Sequence, residues 1–208
     1  CTAGGEVILL VDLCYRDGSL GFEEFVLPIA RIIEREGAGY RIVHYTRCPD
    51  QATRDCDGII LCGTPVMDNG FLGDLASFSW IAETDLPVLG ICAGMEVLAL
   101  LAGGRVIPCP EIGMTEIQVT VQDPIFPENR VFEAYELHGY ACTLPPGYHT
   151  LAESDRCIQV FRDPVRPVYG VMFHPEVRNE WVVGRFLSAF CHPSLSGSPG
   201  DRSLLRSQ

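Results

Sequence analysis

The chain has no apolar run that approaches the roughly 20 residues of a membrane span; glycine, proline and charged residues interrupt each hydrophobic stretch early. Positive charge is scarce, with 15 basic residues against 27 acidic ones and a net charge of -12. That balance argues against nucleic acid or an anionic membrane as the main partner. No two cysteines form a CxxC pair, and no His/Cys cluster has zinc-motif spacing, so no metal is expected from local sequence. No Gly-rich phosphate loop follows any strand-like segment, so no ATP-using unit is expected within these residues. Internal repeats are absent. So is a basic segment leading into a long apolar core, and no secretory leader is expected; a first residue other than Met suggests a trimmed start.

What remains is an ordinary core-forming composition. Of 208 residues, 47% are hydrophobic and 20% charged, which suits one globular domain rather than a disordered chain. The ten cysteines are scattered without paired spacing, as buried thiols in a reducing, cytoplasmic protein would be. Val7-Ile8-Leu9-Leu10-Val11 has the continuous apolar pattern of a buried parallel strand, as do 58–62 and 87–91. Tyr40 to Tyr45 is a further strand. Phe22, Phe25, Val26, Ile29, Ile32 and Ile33 recur at helical spacing up to Gly37, with Pro28 expected to kink that helix or shift its start. Residues 74–81 and 95–101 are also predicted helical. The second half holds short strand-like segments at 116–121, 134–137, 148–152, 158–161 and 168–173, then a closing helix over 180–190. The pattern predicts an α/β three-layer sandwich: a mostly parallel open sheet with an antiparallel extension. Residues 1–190 form the domain and 191–208 a flexible tail.

Chemistry concentrates in three places. "GICAGME", Gly90 to Glu96, sets Cys92 at a strand-to-helix corner with a glycine two residues away on either side. That is the geometry of a nucleophile elbow with sulfur in place of oxygen, and a helix N-terminus there favours the thiolate. The bland reading is a small buried cysteine in a tight turn. "YGVMFHPEV" ends a strand at His174-Pro175-Glu176. His174 can take a thiol proton while Glu176 holds the other ring nitrogen. "GIILCGTP" leaves a buried strand through Gly63-Thr64-Pro65, where a backbone N–H of Thr64 could join that of Ala93 in facing a developing oxyanion.

In this order and spacing, the three elements resemble the class I, or triad, glutamine amidotransferases over about residues 7 to 190. "GMTEIQV", "LHGYACTLPPGYHTLAES" and "YGVMFHPEV" follow the order of the glutaminase part of GMP synthases. The resemblance implies a flavodoxin-like fold and a Cys92–His174–Glu176 triad acting on the L-glutamine side-chain amide. It further implies a γ-glutamyl thioester on Cys92, no cofactor, Gly63, Glu96 and His138 at the substrate, and ammonia passed to a separate synthetase subunit. Three positions depart from the family pattern. Glu96 stands where the family has Gln, Leu137 where it has a substrate-contacting Ser, and Thr64 where it has the second Gly of Gly-Gly-Pro. Threonine disfavours positive φ, so a rearranged loop is expected there. Either the chain keeps glutamine chemistry, or the carboxylate at 96 selects another γ-glutamyl substrate in a peptidase-like hydrolase. A non-catalytic regulatory subunit is the third reading.

Overall fold

The computed structural model of the chain describes residues 6–47 and 52–191. Val7–Asp12 (β1) divides its side chains by parity: Ile8 and Leu10 enter one core, Leu9 and Val11 the other. A strand apolar on both faces needs a covering layer on each side. Gly58–Leu61 (β3) and Val88–Ile91 (β4) are buried throughout in the same way. With Gly39–His44 (β2) and Val168–Val171 (β9) they pair in parallel, in the order β2-β1-β3-β4-β9. Val106–Val119 (β5), Val131–Cys142 (β6), His149–Glu153 (β7) and Ile158–Arg162 (β8) then extend the same sheet antiparallel, as β9-β8-β7-β5-β6.

Helices cover both faces. Leu27–Arg35 (α1) and Trp181–Phe186 (α3) bury Ile29, Ile33, Val183 and Phe186 against Ile8, Leu10 and Ile60. Ala93–Leu101 (α2) lays Met95, Leu98 and Ala99 over Leu9, Val11 and Leu61 on the other side. This is the three-layer α/β sandwich with an antiparallel extension that the sequence pattern predicts. Pro28 lies in the first turn of α1, where its missing N–H costs nothing, and a π-type turn over Phe22–Val26 leads into it. Among the described residues no helix is long and apolar enough to cross a membrane.

Several elements differ from the sequence reading. Residues 74–81 are not an α-helix: the segment coils as 3₁₀ turns over Gly70–Gly73 and Leu75–Ala82. Bonds spaced three residues apart favour that tighter winding, from Ser77 Oγ to Asp74 Oδ2 at 2.7 Å and from Trp80 Nε1 to the Ser77 carbonyl at 3.0 Å. The segments at 116–121 and 134–137 are parts of two long strands, β5 and β6, which make one hairpin. Cys191, assigned by sequence to the tail, closes a final π-type turn over Leu187–Cys191 and is buried, so close to Gly58 that a Cβ there would meet its sulfur. Residues 192–208, the rest of that tail, lie outside the described residues.

Candidate active site

Three neighbouring parallel strands deliver the sequence-selected residues to one place. β3 ends into Gly63 and Thr64, β4 into Cys92, and β9 leads to His174 and Glu176. All leave from the carboxyl edge of the sheet, where open α/β sheets present their ligand sites. The edge strand β6 crosses above: the His174 N–H donates to the Tyr135 carbonyl at 2.9 Å, and Leu137 and His138 then face Cys92 across the cleft.

The corner at Cys92 is strained. Its backbone sits at φ 48° and ψ -103°, one of three positive-φ residues other than glycine among those described. Such torsions cost of order 1–3 kcal/mol and persist only where the surroundings impose them. Here the Cys92 N–H is bound to the Val171 carbonyl at 2.7 Å, and its own carbonyl accepts the Glu96 N–H at 3.0 Å, starting α2. The flanking glycines serve close approach, not positive φ. A Cβ on Gly90 would stand 2.5 Å from the Gly94 carbonyl oxygen, and one on Gly94 would stand 2.4 Å from that of Leu61. Elbow and strand are packed backbone to backbone. Ala93, at the first helical position, adds one of the donors a helix N-terminus leaves unpaired.

His174 is fully buried, with Nδ1 2.7 Å from Glu176 Oε1 and Nε2 left without a hydrogen bond. The Phe25 ring lies 5.2 Å from the imidazole, and Gly63 backs it. Burial alone would lower the imidazole pKa, but the negative charges of Glu176 and Cys92 outweigh it and hold it well above its ordinary value. The Cys92 thiol goes the other way from a free reactive thiolate. Burial pushes its pKa up, and the nearby His174 charge pulls it only partly back. The Cys92 Sγ points at the Leu137 carbonyl at 3.9 Å.

The cleft over the thiol is nearly closed. Thr64, Ala93, Glu96, Leu137, His138 and Tyr140 line it, and it has a free volume of about 10 Å³, room for about one water. Thr64 keeps negative φ, and its hydroxyl donates to the Asp68 carbonyl at 3.0 Å, closing the loop. Asp68 in turn accepts the Tyr15 N–H through Oδ2 at 2.6 Å. Across the cleft, Gly139 packs near Val66, so the loop and β6 meet over the sulfur. Glu96 is 3% exposed, and its Oε2 has no hydrogen-bond partner. Burial drives its pKa up to about 7, with the His138 charge opposing. His138 lies between two further carboxylates, 3.1 Å from Glu136 Oε2 and 3.7 Å from Glu111 Oε2.

Known proteins agree with this architecture. The profile of the family "Glutamine amidotransferase class-I" matches residues 22–192. The chain belongs to that family. A subunit of the glutamine-hydrolyzing GMP synthase of Methanosarcina barkeri is 38% identical over 65% of this chain and 72% of its own. The corresponding subunit from Methanocaldococcus jannaschii is 31% identical over 81% of this chain and 91% of its own. A Thermoplasma acidophilum crystal structure, assigned to the same GMP synthase subunit, superposes with a TM-score of 0.79 at 26% identity, covering 90% of this chain and 94% of that one. The chain is a class I glutamine amidotransferase that resembles these GMP synthase subunits.

Within this amidotransferase, Cys92, Ala93, Thr64, Glu96 and His138 share the cleft wall, while His174 and Glu176 stand just behind it. Gly63 does not line the cleft; it lies against the His174 ring. Thr64 adopts no positive φ, and its hydroxyl ties the loop to the Asp68 carbonyl. Sequence reasoning missed Phe25 beside the imidazole, Asp68 under the loop, and Glu136 and Glu111 around His138. Only Glu136 had a local signal, since alternate residues of a strand share a face.

Proposed function

We propose that the chain hydrolyses the side-chain amide of L-glutamine through Cys92, His174 and Glu176 and passes ammonia to a separate synthetase subunit. One observation carries this reading: a strained Cys92 elbow beside an imidazole whose far nitrogen is held 2.7 Å from a buried carboxylate. Entry of substrate must part the Thr64 loop from β6; hydration then lowers the burial cost on the thiolate, and the Cys92 thiol gives its proton to the neutral imidazole of His174. The thiolate attacks the amide carbon, and the N–H groups of Ala93 and Thr64 face the oxyanion. His174 gives its proton to the leaving nitrogen, so ammonia departs and a γ-glutamyl thioester remains on Cys92. The neutral imidazole then takes a proton from water, which attacks the thioester; glutamate leaves and the thiolate returns.

The separate synthetase is supported by the relatives named as one subunit of a GMP synthase. The single-chain GMP synthase of Alkalilimnicola ehrlichii fits the same division, since this chain matches only 36% of its length, at 35% identity. A reducing, cytoplasmic setting belongs to the same reading, as the eight described cysteines are all free thiols. Glu96 in the cleft favours a second reading, hydrolysis of another γ-glutamyl compound. Glutamate release is measured from L-glutamine and from γ-glutamyl peptides, and ammonia release from L-glutamine, with and without an ATP-dependent synthetase subunit of the GMP synthase type. Release from glutamine that needs Cys92 and rises with the synthetase supports the first reading. Turnover of peptides alone replaces it with the second.

A further inference from the structure

Where the start of β5 meets the start of β8, the fold assembles a group of side chains that no sequence spacing announces. One donor atom each of Cys109, Glu111 and Cys157 lies within 4.8 Å of the other two. Cys109 and Glu111 come from β5, and Cys157 from the residue before β8. We propose that these three residues bind a soft divalent cation, zinc by their chemistry, as a clip between the β5–β6 hairpin and the β7–β8 pair.

Two thiols and a carboxylate are a zinc donor set, and two sulfurs select against magnesium and calcium. Bond lengths of about 2.3 Å to sulfur and about 2.0 Å to oxygen put tetrahedral donors about 3.5–3.8 Å apart. From a spread of at most 4.8 Å, the group therefore needs to tighten by about 1.3 Å at most, with a fourth position left for water. Glu111 supplies an independent sign of something unfilled. Its side chain is 9% exposed, and while Oε1 accepts from Thr115 Oγ1 at 3.0 Å, the buried Oε2 has no hydrogen bond. The surroundings are already arranged as an outer layer. The buried Gln159 amide donates to Cys157 Sγ at 3.4 Å, and His138 Nε2 stands 3.7 Å from Glu111 Oε2. Ligand carboxylates and thiolates are commonly held by such partners. Both cysteines are only partly buried, which leaves a path for the ion. Through Glu111 the ion would also fix His138 at the cleft wall, independently of which γ-glutamyl compound is turned over.

The test uses the whole chain, reduced, stripped with chelator and given one equivalent of zinc. Bound zinc is counted by elemental analysis and its affinity measured by competition with a chromophoric chelator. One equivalent is expected in the wild type and in Cys14→Ser, a control away from the site, and none in the Cys109→Ser/Cys157→Ser double variant. Gln159→Ala should weaken binding about 10- to 100-fold. If the double variant fails to fold, two measurements on other proteins decide. Cobalt(II) in the wild type should give a thiolate charge-transfer band that Glu111→Gln shifts, and chelator should lower the wild-type Tm. No bound equivalent in the reduced wild type overturns the proposal. So does equal uptake by the double variant, or a Cys109–Cys157 disulfide that forms readily while the reduced protein ignores zinc.

Discussion

Gly63 lies directly beneath the His174 imidazole: a Cβ built on it would stand 2.8 Å from the ring's Cε1. The ring cannot yield easily, since it is fully buried, bonded to Glu176 and flanked by Phe25. Gly63→Ala should therefore displace the imidazole rather than block the cleft. A misplacement near 1 Å costs on the order of 100-fold in rate, and glutaminase assays should show that fall in kcat with KM little changed. Thr64→Gly serves as the control one residue on, because it frees the loop without touching the ring. Equal loss in both variants would sink the positional account.

The positive φ of Cys92 separates strain from chemistry. Cys92→Ala and Cys92→Gly both remove the sulfur and should both abolish turnover. Only glycine tolerates φ 48° and ψ -103° without cost. The glycine variant should be more stable than the alanine variant by about 1 kcal/mol, read as a higher denaturation midpoint at constant m. A glycine variant less stable than the alanine variant would show that the backbone there is not under strain.

His174→Ala and Glu176→Ala should differ in severity. Loss of the imidazole removes both proton donor and base, and activity should approach that of Cys92→Ala. Loss of the carboxylate at 2.7 Å leaves the ring in place but uncharged and less well oriented. Because Glu176 is what raises the imidazole pKa against burial, its removal should also move the acidic limb of the kcat/KM profile to lower pH. Matching profiles for Glu176→Ala and wild type would argue against that link.

Much of this site can be read locally because its motifs are local. The Cys92 elbow is a buried run meeting a helix between two close-packing glycines, and His174 and Glu176 are two residues apart at one strand end. The buried runs of β1, β3 and β4 are equally plain. The β5–β6 hairpin is not. Pro108, Pro110 and Gly113 interrupt its pattern, yet over that stretch β5 pairs only with β6, and a bulge between Pro108 and Glu111 absorbs the irregularity. Prolines are tolerated where one side of a strand is unpaired. The grouping of Cys109 with Cys157 depends on that hairpin folding back, so 48 residues of separation conceal it.

Glu96 yields a pH prediction whose sign is fixed by burial. Its carboxyl titrates at about 7 in the fold, against 4.5 for an exposed glutamate. The folded state thus holds the proton more tightly, and the stability this allows is complete below about pH 4.5 and is lost as pH rises to about 7. A shift of that size corresponds to at most roughly 3 kcal/mol. Glu96→Gln cannot titrate, so its stability relative to wild type should climb between pH 5 and pH 8 in paired denaturant titrations. Below neutrality the protonated acid can donate a hydrogen bond as a glutamine amide would; above it the charged form can only accept. Wild-type KM for glutamine should therefore rise through pH 7 while that of Glu96→Gln stays flat, giving the variant its largest advantage in kcat/KM near pH 8. Parallel KM profiles would remove the donor role. A fall in kcat/KM on glutamine at every pH, with γ-glutamyl peptides also losing turnover, would show instead that the carboxylate itself recognises the substrate. A charge-assisted hydrogen bond of that kind contributes about 1.5–3 kcal/mol, so the fall would be roughly ten- to 150-fold.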